Sequence, residues 1–515
     1  MKKLIKRPVI KILGFLSLFF FPCVIIAQES QSHDVVIRNG KIIDGTGKKS
    51  FHATVVINNG IISEIERDTT KEFIAKKIID ARGYLVTPGF IDTHSHGDPL
   101  ETPAFENFLA MGVTTISLGQ DGFSPEIENF PGWIQKVNSE TPGVNIAMFA
   151  GHNSLRQLSG INYDSVPRKE NMKRMEEILE NAMRAGAFGL TTGLEYSPGE
   201  FSQMEELLSL ARVVGENKGI IMSHMRNEDD SEVEKSISEL LELGLYCPVH
   251  ISHIKVVYGK GEERGLEILE IIDEARKNGI EVTADIYPYT ASYTGIAILF
   301  PDWAKLPNNY EEVVKLRRKE LSDFLRKKVI QRNGPESTLI GTGSYRGQTL
   351  AHVSSRLKKP YEEILMDEIG PYGAGAAHFI MDETLQRSLL SHPVINICSD
   401  GSPTMRHPRG YGSFPKIIET YVLDQNLFSL EEAIQKMTGL AAGTIQLNDR
   451  GILAKGKVAD ILVFKAEELR ANATYEEPHQ LAAGMKYVIV NGKIAVDSGN
   501  ISEKGHGKVL KKNSL

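Results

Sequence analysis

The stretch Val86-Thr-Pro-Gly-Phe-Ile-Asp-Thr-His-Ser-His96 decides how the rest of the chain is read. Its apolar run Phe90-Ile91 ends in His94-x-His96. On a strand, residues i and i+2 share a face. Two imidazoles at a strand end therefore converge on one point, as a metal site requires. A lone His-x-His also fits two solvated loop histidines, and the pieces at later strand ends decide between the two readings.

Outward from this stretch, residues 33 to 88 read as short β-branched runs separated by turn signals: Asn39-Gly40, Gly45-Thr-Gly47 and Asn59-Gly60. The C-terminal part repeats the texture. Ala459 to Phe464 and Tyr487 to Val490 are strand-like, followed by Asn491-Gly492 and Lys493 to Val496. Isolated hairpins are marginal, so the two ends are expected to assemble into one small β-sandwich domain (28–88 plus 455–515).

The middle, roughly 89 to 454, alternates strand-like and helical stretches. Strand-like runs follow Gly89-Phe-Ile-Asp92 at Thr114–Leu118, Asn145–Phe149, Phe188–Thr192, Gly219–Met222, Pro248–Ser252, Glu281–Asp285 and Val394–Cys398. Amphipathic periods between them include Met172–Arg184, Gln203–Glu216, Glu232–Leu243 and Gly265–Lys277. Eight such units argue for a (β/α)8 barrel of the TIM type, in the α/β class. A doubly wound open sheet is the alternative, but polar residues cluster after nearly every strand, as a barrel's catalytic face predicts. The charged stretch between about 297 and 340 breaks the pattern and is expected to be an insertion near the mouth of the site.

The chain has 515 residues, 41% hydrophobic, enough for a large core. Net charge is -7 with no basic block beyond the N-terminus, which argues against a nucleic-acid partner. The first 27 residues carry a basic head (Lys2, Lys3, Lys6, Arg7, Lys11) and an apolar stretch from Ile12 to Ala27. That stretch is short for a membrane span and reads as a signal peptide, giving a periplasmic or secreted protein without stable membrane insertion after cleavage. Cys23 lies in no lipobox-like context. Cys247 and Cys398 sit in apolar runs and read as buried thiols. No Gly-x-Ser-x-Gly elbow appears, which argues against a serine hydrolase.

At the strand ends stand His94 and His96 (first), Asp121 (second), His152 (third), Glu195 and Tyr196 (fourth), His224 (fifth), His253 and Lys255 (sixth), Asp285, Tyr287 and Tyr289 (seventh) and Asp400 (eighth). Histidines from strands one, five and six with an aspartate from strand eight make a divalent-metal constellation suited to zinc. Strand parity selects His253 over His250, which faces the other way and reads as a packed core residue.

On these pieces, together with Ser223-His-Met-Arg-Asn-Glu228, Ile251-Ser-His-Ile-Lys255, Ser399-Asp-Gly401, His407-Pro-Arg409 and Gly456-Lys-Val-Ala-Asp460, the chain resembles the metal-dependent amidohydrolases. Within them it resembles the D-aminoacylases, the N-acyl-D-amino-acid deacylases. The resemblance implies one or two zinc ions, His94 and His96 on the weaker position and His224 and His253 on the tighter one. It implies Asp400 as catalytic carboxylate, Lys255 and Tyr196 as pocket groups, Tyr287 or Tyr289 as oxyanion partner, and Arg409 as clamp for the substrate carboxylate. The chain departs from the pattern at Asp121, where those enzymes usually carry a cysteine ligand. A carboxylate can replace it but is a harder donor, and Glu195 is the rival bridging group. The activity implied is hydrolysis of the amide of a small N-acyl-D-amino acid. The alternatives are another amidohydrolase, such as a dihydropyrimidinase or isoaspartyl dipeptidase, or a non-catalytic binding protein on the same scaffold. Oligomeric state stays open.

Overall fold

The apolar runs of the middle segment form eight parallel strands: Phe90–Asp92, Val113–Leu118, Asn145–Met148, Gly189–Gly193, Ile220–His224, Val249–Ile251, Val282–Ile286 and Ile395–Ile397. The computed structural model that shows them describes residues 32–512, so the signal-peptide reading and Cys23 lie outside the described residues. The strands are almost wholly buried, because a barrel strand is covered by core on one face and helices on the other.

Strands one to three pair in one parallel sheet and strands four to eight in another, with Ala150–Gly151 extending strand three. Backbone bonds join the sheets at both seams. Phe188 N–H donates to Met148 O at 2.9 Å, linking strands three and four. Asp400 N–H donates to His94 O, and His96 N–H to Gly401 O, both at 2.8 Å. The eighth strand thus returns to the first, and the class is the (β/α)8 barrel. The covering helices, among them Lys169–Arg184, Met204–Glu216, Val233–Leu243 and Gly261–Lys277, bury one apolar face each; in the first, Met175, Ile178, Leu179 and Ala182 point inward.

The two chain ends share one nine-stranded sheet. Leu85–Pro88 pairs antiparallel with Ile461–Phe464. Val55 and Ile57 from one end and Ile461 and Ile489 from the other lie in a common core. At the Asn-Gly turns, Asn59 and Asn491 have φ of 51° and Gly60 and Gly492 of 77°, the left-handed pair that such hairpins require. The chain after residue 505 leaves this sheet. Gly507 N–H donates to Pro142 O at 2.7 Å and Leu510 N–H to Ile146 O at 2.8 Å, so the last described residues lie along the barrel rather than with the small domain.

The insertion is longer than the expected 297–340. It opens with the strand Ala291–Gly295 and closes with Gly375–Phe379, the two pairing antiparallel with Thr338–Ile340 between them in sequence. A long helix, Tyr310–Gln331, packs on it. Leu350, Val353, Ile364 and Leu365 join Leu321, Leu325 and Val329 in a separate core. These apolar residues beyond 340 belong to the insertion because they cover its helix and not the barrel.

Candidate metal centre and substrate cavity

Local geometry brings the strand-end residues together. His94 and His96 leave the first strand in the i, i+2 relation. Asp121, His253 and Asp400 all sit at positive φ (53°, 36° and 47°), a conformation that side-chain-bearing residues rarely adopt. Such strain, at three strand ends around one point, turns each side chain back over the barrel axis. Gly401 makes a further close approach: a Cβ there would lie 2.3 Å from Gly410 Cα, so only glycine lets the Arg409 segment pack against Asp400.

Asp121 Oδ1 lies 3.3 Å from His94 Nε2, 3.3 Å from His253 Nε2 and 3.7 Å from His224 Nδ1, and its other oxygen lies 3.5 Å from His96 Nε2. Asp400 Oδ1 stands 3.2 Å from His96 Nε2 and 3.9 Å from His94 Nε2. Donor atoms of His94, Asp121, His253 and Asp400 all fall within 4.8 Å of one another. Both ring nitrogens of His94 are buried without a hydrogen-bond partner. A buried imidazole in that condition, facing two carboxylates and a second imidazole, fits a cation held between them. The donors, imidazole nitrogen and carboxylate oxygen without thiolate, suit zinc and also harder divalent ions.

Glu195 is outside this ring. Its Oε2 lies 3.0 Å from His224 Nε2, the nitrogen facing away from Asp121. It orients an imidazole, as carboxylates beside metal-binding histidines do. His250 packs in the barrel core, its Nε2 3.0 Å from Asp285 Oδ2. Asp285 in turn accepts from His253 N–H and Thr93 Oγ1–H, both at 2.5 Å, and so fixes the strand end that carries His253.

The centre opens into a cavity of about 390 Å³ lined by His96, Asp121, Tyr196, His224, His253, Lys255, Tyr287, Asp400 and Arg409, among others. That is a volume for a small ligand. Tyr196 lies against His224, ring centroids 4.4 Å apart and the planes tilted by 45°. Tyr287 is buried with its hydroxyl unpartnered. Burial pushes that phenol up to about 12, so it stays a proton donor at neutral pH. Tyr289 is not part of this wall. It points away, into a cluster with His407 and Tyr475, because adjacent alternate residues separate at the bend where the chain leaves the seventh strand.

Arg409 is 2% exposed, and its Nη1 donates to Asp400 Oδ2 at 2.8 Å. Burial alone would raise the Asp400 carboxyl; the charges of Arg409 and His253 outweigh it and hold it well below the usual range. Lys255 donates to Glu228 Oε1 at 2.7 Å and lies 2.7 Å from His253 Nδ1. Burial disfavours the Lys255 ammonium, but Glu228 overrides this and keeps it charged. Glu228 is the residue that sequence reasoning left without a role. The signal for it was its place at the end of the Ser223-to-Glu228 piece.

Fold and centre together define a metal-binding barrel hydrolase, and comparison with known proteins narrows the class. A family model described as an amidohydrolase family matches residues 327–496. An N-acyl-D-glutamate deacylase of Alcaligenes xylosoxydans xylosoxydans is 32% identical, over 89% of this chain and 93% of that protein. A D-aminoacylase of the same organism is 29% identical over 94% and 98%. Among solved structures, the N-acyl-D-glutamate deacylase of Bordetella bronchiseptica, complexed with zinc and a phosphonate inhibitor, superposes with a TM-score of 0.81 at 30% identity, covering 93% of this chain and all of that one. A hydantoinase from Arthrobacter aurescens, at 15% identity and a TM-score of 0.58, shares the fold. The chain belongs to the amidohydrolase family, in the group that contains D-aminoacylase and the N-acyl-D-amino-acid deacylases.

Proposed function

We propose that the protein is a zinc-dependent deacylase that hydrolyses N-acyl-D-amino acids to a carboxylate and a free D-amino acid. The observation that carries this reading is one cavity in which an Asp121-centred ring of four imidazoles adjoins a buried Arg409–Asp400 pair and Lys255. Its relatives' activities point the same way.

His94, His96, Asp121, His224 and His253 would hold the metal. Zinc bound there supplies a Lewis acid that makes water nucleophilic at neutral pH and polarises the scissile carbonyl. Asp400 accepts the proton of the attacking water and passes it to the departing amine. Tyr287 donates its hydroxyl proton towards the oxyanion that develops. Arg409 and Lys255 bind the substrate's α-carboxylate; the planar fork of Arg409 fixes orientation as well as charge, which sets the stereocentre relative to the attacked carbon. Tyr196 packs beside His224 and excludes water from that side.

Amine release from paired N-acetyl-D- and N-acetyl-L-amino acids tests the reading. Turnover of the D series, lost on chelation and restored by zinc, is expected. Turnover of neither series by metal-loaded protein would point to a cyclic-amide hydrolase or a binding protein. We further propose export through the N-terminal segment. Among the described residues no helix is long and apolar enough to cross a membrane. Cell fractionation with N-terminal analysis of the mature chain checks this: a protein retaining Met1 inside the cell would contradict it.

A further inference from the structure

His407 stands two residues before the arginine that binds the substrate's α-carboxylate. It is wholly buried, and both of its ring nitrogens are engaged. Arg409 N–H donates to Nδ1 at 3.0 Å, and Nε2 stands 3.1 Å from Ala291 O. Because Nδ1 accepts, the ring proton sits on Nε2 and is donated to that carbonyl. Burial, reinforced by the charge of Arg409, holds the imidazole neutral, the only state in which it makes both bonds. Three tyrosine rings from three parts of the chain enclose it edge-on, with centroids at 5.5 Å for Tyr289, 5.0 Å for Tyr475 and 6.3 Å for Tyr293.

The two partners of His407 belong to different units. Arg409 opens the helix Arg409–Lys416, which follows the eighth barrel strand, whereas Ala291 opens the first strand of the insertion, Ala291–Gly295. That strand also grips the guanidinium: Arg409 Nη2 donates to Tyr293 O at 3.3 Å. Carbonyls two residues apart on a strand share an edge. One strand edge therefore ties down both parts of Arg409, the main chain through His407 and the side chain directly. Nη1 is taken by Asp400, the guanidinium lies 4.7 Å from the centre of the Tyr287 ring, and Nε is buried without a partner. With its main chain and one fork of its side chain fixed, Arg409 presents the remaining donors in one orientation, so little ordering is left for the substrate to impose.

We propose that His407 is the positioning residue for Arg409: its imidazole brackets the main chain of the clamp to the first strand of the insertion, so that the guanidinium meets the α-carboxylate already oriented. The inference rests on the deacylase reading and adds a residue to its binding step.

Acetate release gives kcat and KM for N-acetyl-D-alanine, N-acetyl-D-methionine and N-acetyl-D-glutamate, and for the α-carboxamide of whichever is turned over fastest. The wild type should prefer the carboxylate to its carboxamide by about 10²-fold or more in kcat/KM, because a site built to pair a group rejects the analogue lacking it. His407→Phe keeps a ring among the tyrosines and removes both bonds. It should raise KM for the carboxylate about 10-fold, leave kcat within about 3-fold, and lower the carboxylate-to-carboxamide ratio about 10-fold. His407→Asn, whose side-chain oxygen can accept from the N–H two residues on, loses only the bond to Ala291 O and should recover part of both. A ratio in His407→Phe equal to that of the wild type, whether kcat/KM falls for both substrates alike or for neither, would overturn the proposal and leave His407 a packing residue. Where the phenylalanine variant does not fold, His407→Asn decides: a ratio lowered about 3-fold supports the bracket, and an unchanged one overturns it. A wild type that hydrolyses carboxylate and carboxamide equally defeats this inference alone; a wild type that hydrolyses no N-acetyl-D-amino acid defeats the deacylase reading with it.

Discussion

The cavity has two walls of different origin. One is made by the ends of barrel strands, which carry His94, His96, Asp121, His224, His253 and Asp400 on a scaffold buried on both faces. The other is made by the insertion after the seventh strand, which brings Ser292 and Arg332 on its own sheet and helix, over its own core. The first wall is cross-linked by hydrogen bonds such as those of Asp285. The difference teaches where each kind of group comes from: the donors gathered around Asp121 stand at barrel strand ends, and the facing wall is supplied by an insertion folded over a core of its own.

Substitutions on the first wall should have the larger effects. His94→Ala should remove the ion's most deeply buried donor and lower kcat/KM by at least about 10³-fold, with reduced zinc content by elemental analysis. Asp400→Asn removes the proton carrier and should cost about 10²- to 10⁴-fold in kcat. Its signature is a loss in kcat rather than in KM, and an unchanged kcat would remove Asp400 from the chemistry. Glu228→Gln, which weakens the hold on Lys255 and His253, should cost about 10- to 100-fold in activity or metal affinity. Smallest for the chemistry is His250→Ala. It should destabilise the fold by about 1–3 kcal/mol in denaturant unfolding by leaving Asp285 less well matched, with the zinc content retained. A loss of zinc in that variant would place His250 among the ligands and blur the two-wall distinction.

The two walls also differ in how far the sequence disclosed them. Strand-end histidines are legible because strand period and apolar flanks locate both the strand and the direction of its side chains, as at His94 and His96. The barrel order followed from eight repeats of one pattern, and the pairing of the chain ends from Asn-Gly turns that recur at both. Tyr289 was not separable from Tyr287, since the bend that turns them apart lies beyond the strand where alternation holds. The sequence favours Asp121 over its rival Glu195 only narrowly, because order along the chain does not tell which carboxylate faces the histidines; the fold places Asp121 among four imidazoles and Glu195 on the far side of His224. Arg332 carried no signal. It is one basic residue at the end of a charged helix, and only the folding of the insertion onto the barrel buries it opposite the metal ring. Its burial is a property of tertiary packing, invisible to local pattern.

The central claim is that Asp121 is the carboxylate around which the metal centre is built. Zinc per chain in the purified wild type and in Asp121→Ala, measured on folded protein at matched concentration, tests it most directly. The account predicts about one to two ions per chain in the wild type and a clear fall in the variant. Equal stoichiometry in the two proteins would contradict it.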